Sequence, residues 1–124
     1  MDTEILDGAF NSYIHAALWS STDESEVPLD GTYDIDDFNK ESLAIMRENF
    51  EKFFEDNYSL VTVEDIRSGL TYDIFGHDFW LTRNGHGSGF WDKGYTNGET
   101  LTSLCEGYKE VNLIIGDDGK IYGE

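Results

Sequence analysis

The sequence predicts an α+β fold in which N-terminal helices pack on an antiparallel sheet of about four strands. Three observations predict it. Apolar residues recur at helical spacing over the first half, the second half alternates short aromatic and β-branched runs with glycine turns, and helices and hairpins are segregated along the chain. A length of 124 residues is that of one domain. The 3 Trp, 7 Tyr and 8 Phe separate it from acidic chains that stay disordered. Neither an internal repeat nor an interdomain linker is evident, so residues 1–124 read as a single acidic α+β domain.

Taken in order, residues 4–19 read as a helix. Ile5, Leu6, Ala9, Phe10, Tyr13, Ile14, Ala17 and Leu18 form one wide apolar face. Asp2, Thr3 and Glu4 suit the positive end of its dipole, and His15 beside the face reads as structural. Residues 20–38 form a connector with the only proline, Pro28, and a turn at Asp30-Gly31. Val27, Leu29, Tyr33, Ile35 and Phe38 should anchor it as an ordered loop. A second helix is expected from about Lys40 to Asp56, capped by Asn39, with Leu43, Met46, Phe50, Phe53 and Phe54 inward. Thr62 with Asp65 resembles a capping box for a short helix at 63–68, which Gly69 stops.

The second half predicts a hairpin: a strand over His77–Arg83, a turn at Asn84-Gly85-His86-Gly87, and a return strand over Ser88–Asp92. Glu99–Tyr108 reads as a helix with Leu101, Leu104, Cys105 and Tyr108 inward. Val111–Ile115 is the clearest strand, Asp117-Asp118-Gly119 a turn, and Lys120–Tyr122 the last strand. The predicted order is ααα-ββ-α-ββ.

Charge bounds the function. The chain carries 26 acidic and 8 basic residues, a net charge of -18. Residues 1–65 hold 17 acids against 3 bases (Lys40, Arg47, Lys52), and residues 66–124 hold 9 against 5. Such a field repels nucleic acid and anionic lipid and attracts basic proteins. Direct nucleic-acid binding is disfavoured, since the bases are scattered and form no stripe. No apolar stretch approaches the roughly 20 residues that span a membrane, and Met1-Asp2-Thr3-Glu4 is the opposite of a secretory signal. The single cysteine, Cys105, excludes an internal disulfide and fits a reducing compartment as a small core residue.

The densest block is Gly76–Asp92, GHDFWLTRNGHGSGFWD. His77, Asp78, His86 and Asp92 are metal-ligand types. On a hairpin, however, His77 and His86 would stand about 20 Å apart at ~3.3 Å per residue. Asn84–Gly89 is glycine-rich but lacks the Lys-Ser/Thr pair and following helix of a phosphate loop. Asp34–Asp37 and Asp117–Gly119 lack EF-hand spacing. A tight hairpin explains most of the block, with Arg83 and Lys93 paired to local acids and Trp80 or Trp91 exposed as a contact anchor. The residues assign no catalytic group, no metal and no cofactor.

The same block resembles a stretch of small acidic, mostly uncharacterised proteins of tailed bacteriophages. The similarity extends to Ala17–Asp23, Leu29-Asp30, Tyr33–Asp37 and Gly116–Tyr122. It implies expression in the cytoplasm of an infected bacterial host and brings no catalytic residues with it. In that setting the expected function is a non-enzymatic inhibitor of a basic host protein (nucleic-acid-binding, repair, transcription or defence), with carboxylates standing in for DNA phosphates. The acting surface would be Asp23, Glu24, Glu26, Asp30, Asp34, Asp36 and Asp37, helped by Glu48, Glu51 and Glu55, with Trp80 and Trp91 as aromatic contacts. The alternatives are a metal-binding or hydrolytic protein using His77 and His86, and a phage structural or accessory protein. The residues leave the oligomeric state open.

Overall fold

The computed structural model describes residues 2–86 and 88–124; Gly87, inside the predicted turn, and Met1 lie outside the described residues. Among these, the chain forms five α-helices and one two-stranded antiparallel sheet. The helices are α1 (Thr3–Ser20), α2 (Lys40–Asn57), α3 (Val63–Arg67), α4 (Tyr72–Arg83) and α5 (Gly98–Cys105). The strands are β1 (Leu113–Ile115) and β2 (Ile121–Gly123). The mixed helix and sheet composition is as expected, but a sheet of about four strands is not: the predicted hairpin at 77–92 is absent.

In its place stands α4, the centre of the molecule. Phe75, Gly76, Phe79, Trp80, Leu81 and Arg83 are all buried. Three consecutive buried side chains, Phe79 to Leu81, do not fit a half-buried strand, whose neighbours point to opposite faces. They fit a helix packed on several sides. The Asn84-Gly85 pair that reads as a hairpin turn is the helix stop. Gly85 adopts φ 69, its N–H donates to Thr82 O at 3.2 Å, and His86 N donates to Leu81 O at 3.0 Å. That is a Schellman motif, which wants a left-handed residue just as a type I′ turn does. Residues 88–97 continue as turns rather than a return strand.

α1 runs parallel to α4: Gly8 faces Asp73, Ala9 faces Gly76, and Ser20 Oγ accepts from Trp80 Nε1 at 2.8 Å. At Gly76 the backbones nearly touch, since a Cβ there would lie 1.9 Å from Ala9 O. α2 runs antiparallel to α4, with Phe54 against Phe75 and Phe50 against Phe79. Phe53 stacks face to face on Phe79 at 3.9 Å. Tyr13 meets Phe50, Phe79 and Trp80 at the junction of the three helices. α3 carries the predicted capping box, with Thr62 Oγ1 accepting from Asp65 N and Asp65 Oδ2 accepting from Thr62 N. The hairpin β1–β2 lies against the start of α2. There Asn39 N donates to Ile121 O at 2.9 Å and Gly123 N to Ser42 Oγ at 2.7 Å.

Candidate acidic and aromatic surface

The connector between α1 and α2 is ordered by its own carboxylates. Asp23 Oδ1 accepts from Ser25 N at 2.8 Å and Val27 N at 3.0 Å. Asp34 and Asp37 form a reciprocal capping box around a short 3-10 turn, Ile35–Asp37. Leu29 is buried beneath the loop, against α1. These contacts fix the backbone that presents the remaining acids.

The expected surface residues therefore fall into groups. Glu24, Glu26, Asp30, Asp34 and Asp36 are exposed, and Asp23 and Asp37 are half-buried in their turns. Among the described residues, none of the connector acids forms an ion pair. Glu48 and Glu55 are exposed on α2. Glu51 accepts from Arg47 Nε at 2.7 Å, and the same guanidinium bonds Asp7 at 2.6 Å, clipping α2 to α1. Both hydrogen-bonded acids hold Arg47 above its ordinary pKa, although partial burial works against them. Lys40 and Arg47 line the depression where Ile35 meets α1 and α2, so basic side chains lie between parts of the acidic surface.

The two predicted aromatic contacts separate. Trp91 is 56 % exposed, whereas Trp80 is 2 % exposed, a correction that follows from α4 being central and from the bond between its indole and Ser20. The exposed tryptophan missed in the sequence is Trp19, also at 56 %. With Leu18 and, one turn earlier on α1, His15, it lines a groove completed by Asp30, Tyr33, Asp34 and Ile35 of the connector and His77 of α4. The His15–Trp19 spacing of four was the available signal, but the predicted strand at 77–83 put His77 elsewhere.

Of the four candidate metal ligands, only His77 and Asp78 are shown close together. His77 lines that groove, and His86 lines a different, polar cavity at the C-terminal ends of α1 and α4. Asp92 accepts from Gly89 N at 3.0 Å. Asp78 is fully buried and already bound: Lys93 Nζ and Tyr95 OH each donate to it at 2.7 Å. His77 Nδ1 stands 3.5 Å from Asp78 Oδ1 and has no hydrogen-bond partner. Burial, and then the Asp78 carboxylate, raise the Tyr95 hydroxyl far above its ordinary pKa, so it stays a donor. Among the described residues no group of three or more His, Cys, Asp or Glu is placed to hold a metal ion.

Lys93 has the acidic partner expected of it; Arg83 does not. Its guanidinium is buried and bonds neutral acceptors instead: Lys109 O at 2.6 and 3.0 Å, Tyr13 OH at 3.1 Å, and Asn49 Oδ1. It also lies over the Phe79 and Tyr108 rings. This ties α1, α2, α4 and the 105–111 segment together and is structural. Among the described residues, no helix is long and apolar enough to cross a membrane. No protein-family model matches the chain, and no curated protein or solved structure was found to match it.

Proposed function

We propose that this chain is a phage-encoded, non-enzymatic inhibitor that works in the cytoplasm of the infected bacterium. It occupies a host nucleic-acid-binding or defence protein through an acidic surface that stands in for DNA. One observation carries the reading: Glu24, Glu26, Asp30, Asp34 and Asp36 are exposed on a loop fixed by hydrogen bonds, with no ion pair to any described base. A set of acids held on a fixed loop without ion pairs has little reason to exist for stability, because like charges oppose folding. It suits a basic site on a partner, where it steers encounter and sets specificity. Exposed Trp91 offers an aromatic contact outside the connector.

The test is capture of bacterial proteins on the immobilised chain. Basic nucleic-acid-binding proteins should be retained at low salt, be displaced by duplex DNA, and be lost by about 0.5 M NaCl, where screening acts within a few ångströms. The combined variant E24Q/E26Q/D30N/D36N, which leaves the turn-forming Asp23, Asp34 and Asp37 intact, should lose capture while remaining folded. Retention that survives molar salt and ignores DNA would overturn the charge mechanism.

A further inference from the structure

The groove between α1, the connector and α4 encloses about 350 Å³ and joins aromatic faces to carboxylates. Trp19 and Tyr33 supply the rings, Asp30 and Asp34 the charges, and no lysine or arginine lines it. We propose that it is the anchor for an arginine side chain of the bound partner, with the guanidinium held against Trp19 and Tyr33 and paired to Asp30 and Asp34. This deepens the proposed function and rests on it for the identity of the partner as a basic protein.

Complementarity selects the occupant. An anion is repelled by the two carboxylates and by the field of a chain at -18. An apolar group would cover Asp30 and Asp34 without pairing them, which carries a desolvation cost. A cation satisfies both halves of the wall. Arginine fits better than lysine, because its planar fork bonds carboxylates and stacks on rings at once.

The walls are ready for it. Asp30 makes no side-chain hydrogen bond among the described residues, and Asp34, which caps the Ile35–Asp37 turn, has no ion pair with any described base. The backbone that carries Tyr33 is fixed by its N–H, which donates to Leu29 O at 2.8 Å. Trp19 has its ring 6.1 Å from that of His77, tilted 34°.

The test is an NMR titration of the full chain at low salt with the capped tripeptide acetyl-Gly-Arg-Gly-amide, and with its lysine and citrulline counterparts. Shifts should concentrate on the Trp19 indole N–H and the amides of Asp30, Tyr33 and Asp34, with the Trp91 indole unmoved. The arginine peptide should bind about fivefold tighter than lysine, and the uncharged citrulline peptide should not bind. D30N and W19A should each weaken binding about tenfold or more, with the rest of the spectrum preserved to show that they fold. Small shifts spread evenly over the acidic surface, or binding indifferent to both variants, overturn the anchor. If host-protein capture persists in that event, the inhibitor reading stands without the anchor. Groove binding with no capture of basic proteins sinks the inhibitor reading and keeps the arginine site.

Discussion

Glu26 sits at φ 62, the left-handed region that costs a non-glycine residue about 1–2 kcal/mol. It closes the loop whose other end Asp23 holds, and its N–H donates to Asp23 O at 3.0 Å. E26G should therefore raise stability in urea titrations by roughly 0.5–1 kcal/mol. E26N should retain much of that gain, while E26Q, which removes the charge alone, should gain less. A equal gain for E26Q would place the effect in the field rather than the backbone. At Cys105, 2 % exposed, burial pushes the thiol from its ordinary 9.0 up to about 12, although the Arg83 charge pulls it down. The folded chain keeps this thiol neutral at pH values where the unfolded chain ionises it. Its contribution is full below pH 9.0 and is lost as pH rises toward about 12. C105A should flatten the alkaline fall in stability over that window. The native thiol should also react with iodoacetamide at least ~100-fold more slowly than in urea. Cys105 was legible as a core residue from its apolar neighbours; the backbone of Glu26 was not, because nothing in Glu-Ser-Glu-Val marks a left-handed residue.

Among the elements, those with a clean apolar face and a cap were legible. Asn39 Oδ1 accepts from Ser42 N at 2.9 Å as expected of a cap. The ends of α1, α2 and α3 fall within a residue or so of the pattern, and the final hairpin pairs Leu113 with Gly123 around the predicted turn. α4 was not legible. A central helix buries nearly all its faces, so no polar stripe marks its period, and its aromatics carry strand propensity. Gly76, unfavourable in a helix by propensity, is there because Ala9 O leaves no room for a side chain. G76A should cost about 3 kcal/mol or more by forcing α1 and α4 apart. G31A, where an added Cβ meets nothing within 4 Å, should change stability by less than about 0.5 kcal/mol. If the two variants unfold alike in urea, the close crossing does not exist. The capping box on α3 also reaches beyond its helix, since Thr96 N and Oγ1 both donate to Asp65 Oδ1 at 2.9 Å. Burial alone would raise the Asp65 carboxyl; the hydrogen bonds from Thr62 and Thr96 overcome it and hold it below the usual carboxylate range. Its stabilisation is thus present above pH 3.8 and lost as acid protonates it below that value. D65N should cost about 2 kcal/mol at neutral pH and should shrink the acid-induced loss measured in the wild type.

At the scale of the whole molecule, two demands on the acids oppose each other. A net charge of -18 favours expansion, yet three connector carboxylates, Asp23, Asp34 and Asp37, are needed to shape the loop that carries the rest. The count of acids was legible in the sequence; the division between turn-forming and outward carboxylates was not, because Asp at either kind of position reads the same until its backbone partner is known. The groove was hidden for a related reason. It joins Trp19, Tyr33 and His77 from three segments, and the last was assigned to the wrong element. This division gives opposite outcomes for two sets of changes that remove similar amounts of charge. E24Q/E26Q/D30N/D36N removes only outward charge and should raise the low-salt melting temperature by about 4 °C for each kcal/mol of repulsion relieved. It should also flatten the rise in melting temperature expected for the wild type between about 10 mM and 0.5 M NaCl, where the screening length falls from about 30 Å to a few ångströms. D23A/D34A/D37A removes nearly as much charge but takes acceptors from backbone N–H groups, at about 1 kcal/mol for each cap, and should melt lower at every salt concentration. Calorimetry of both sets across that salt range separates the roles. If both sets melt higher than the wild type at low salt, the connector is only a charged coat, and its hydrogen bonds contribute nothing to holding the surface that the partner would meet.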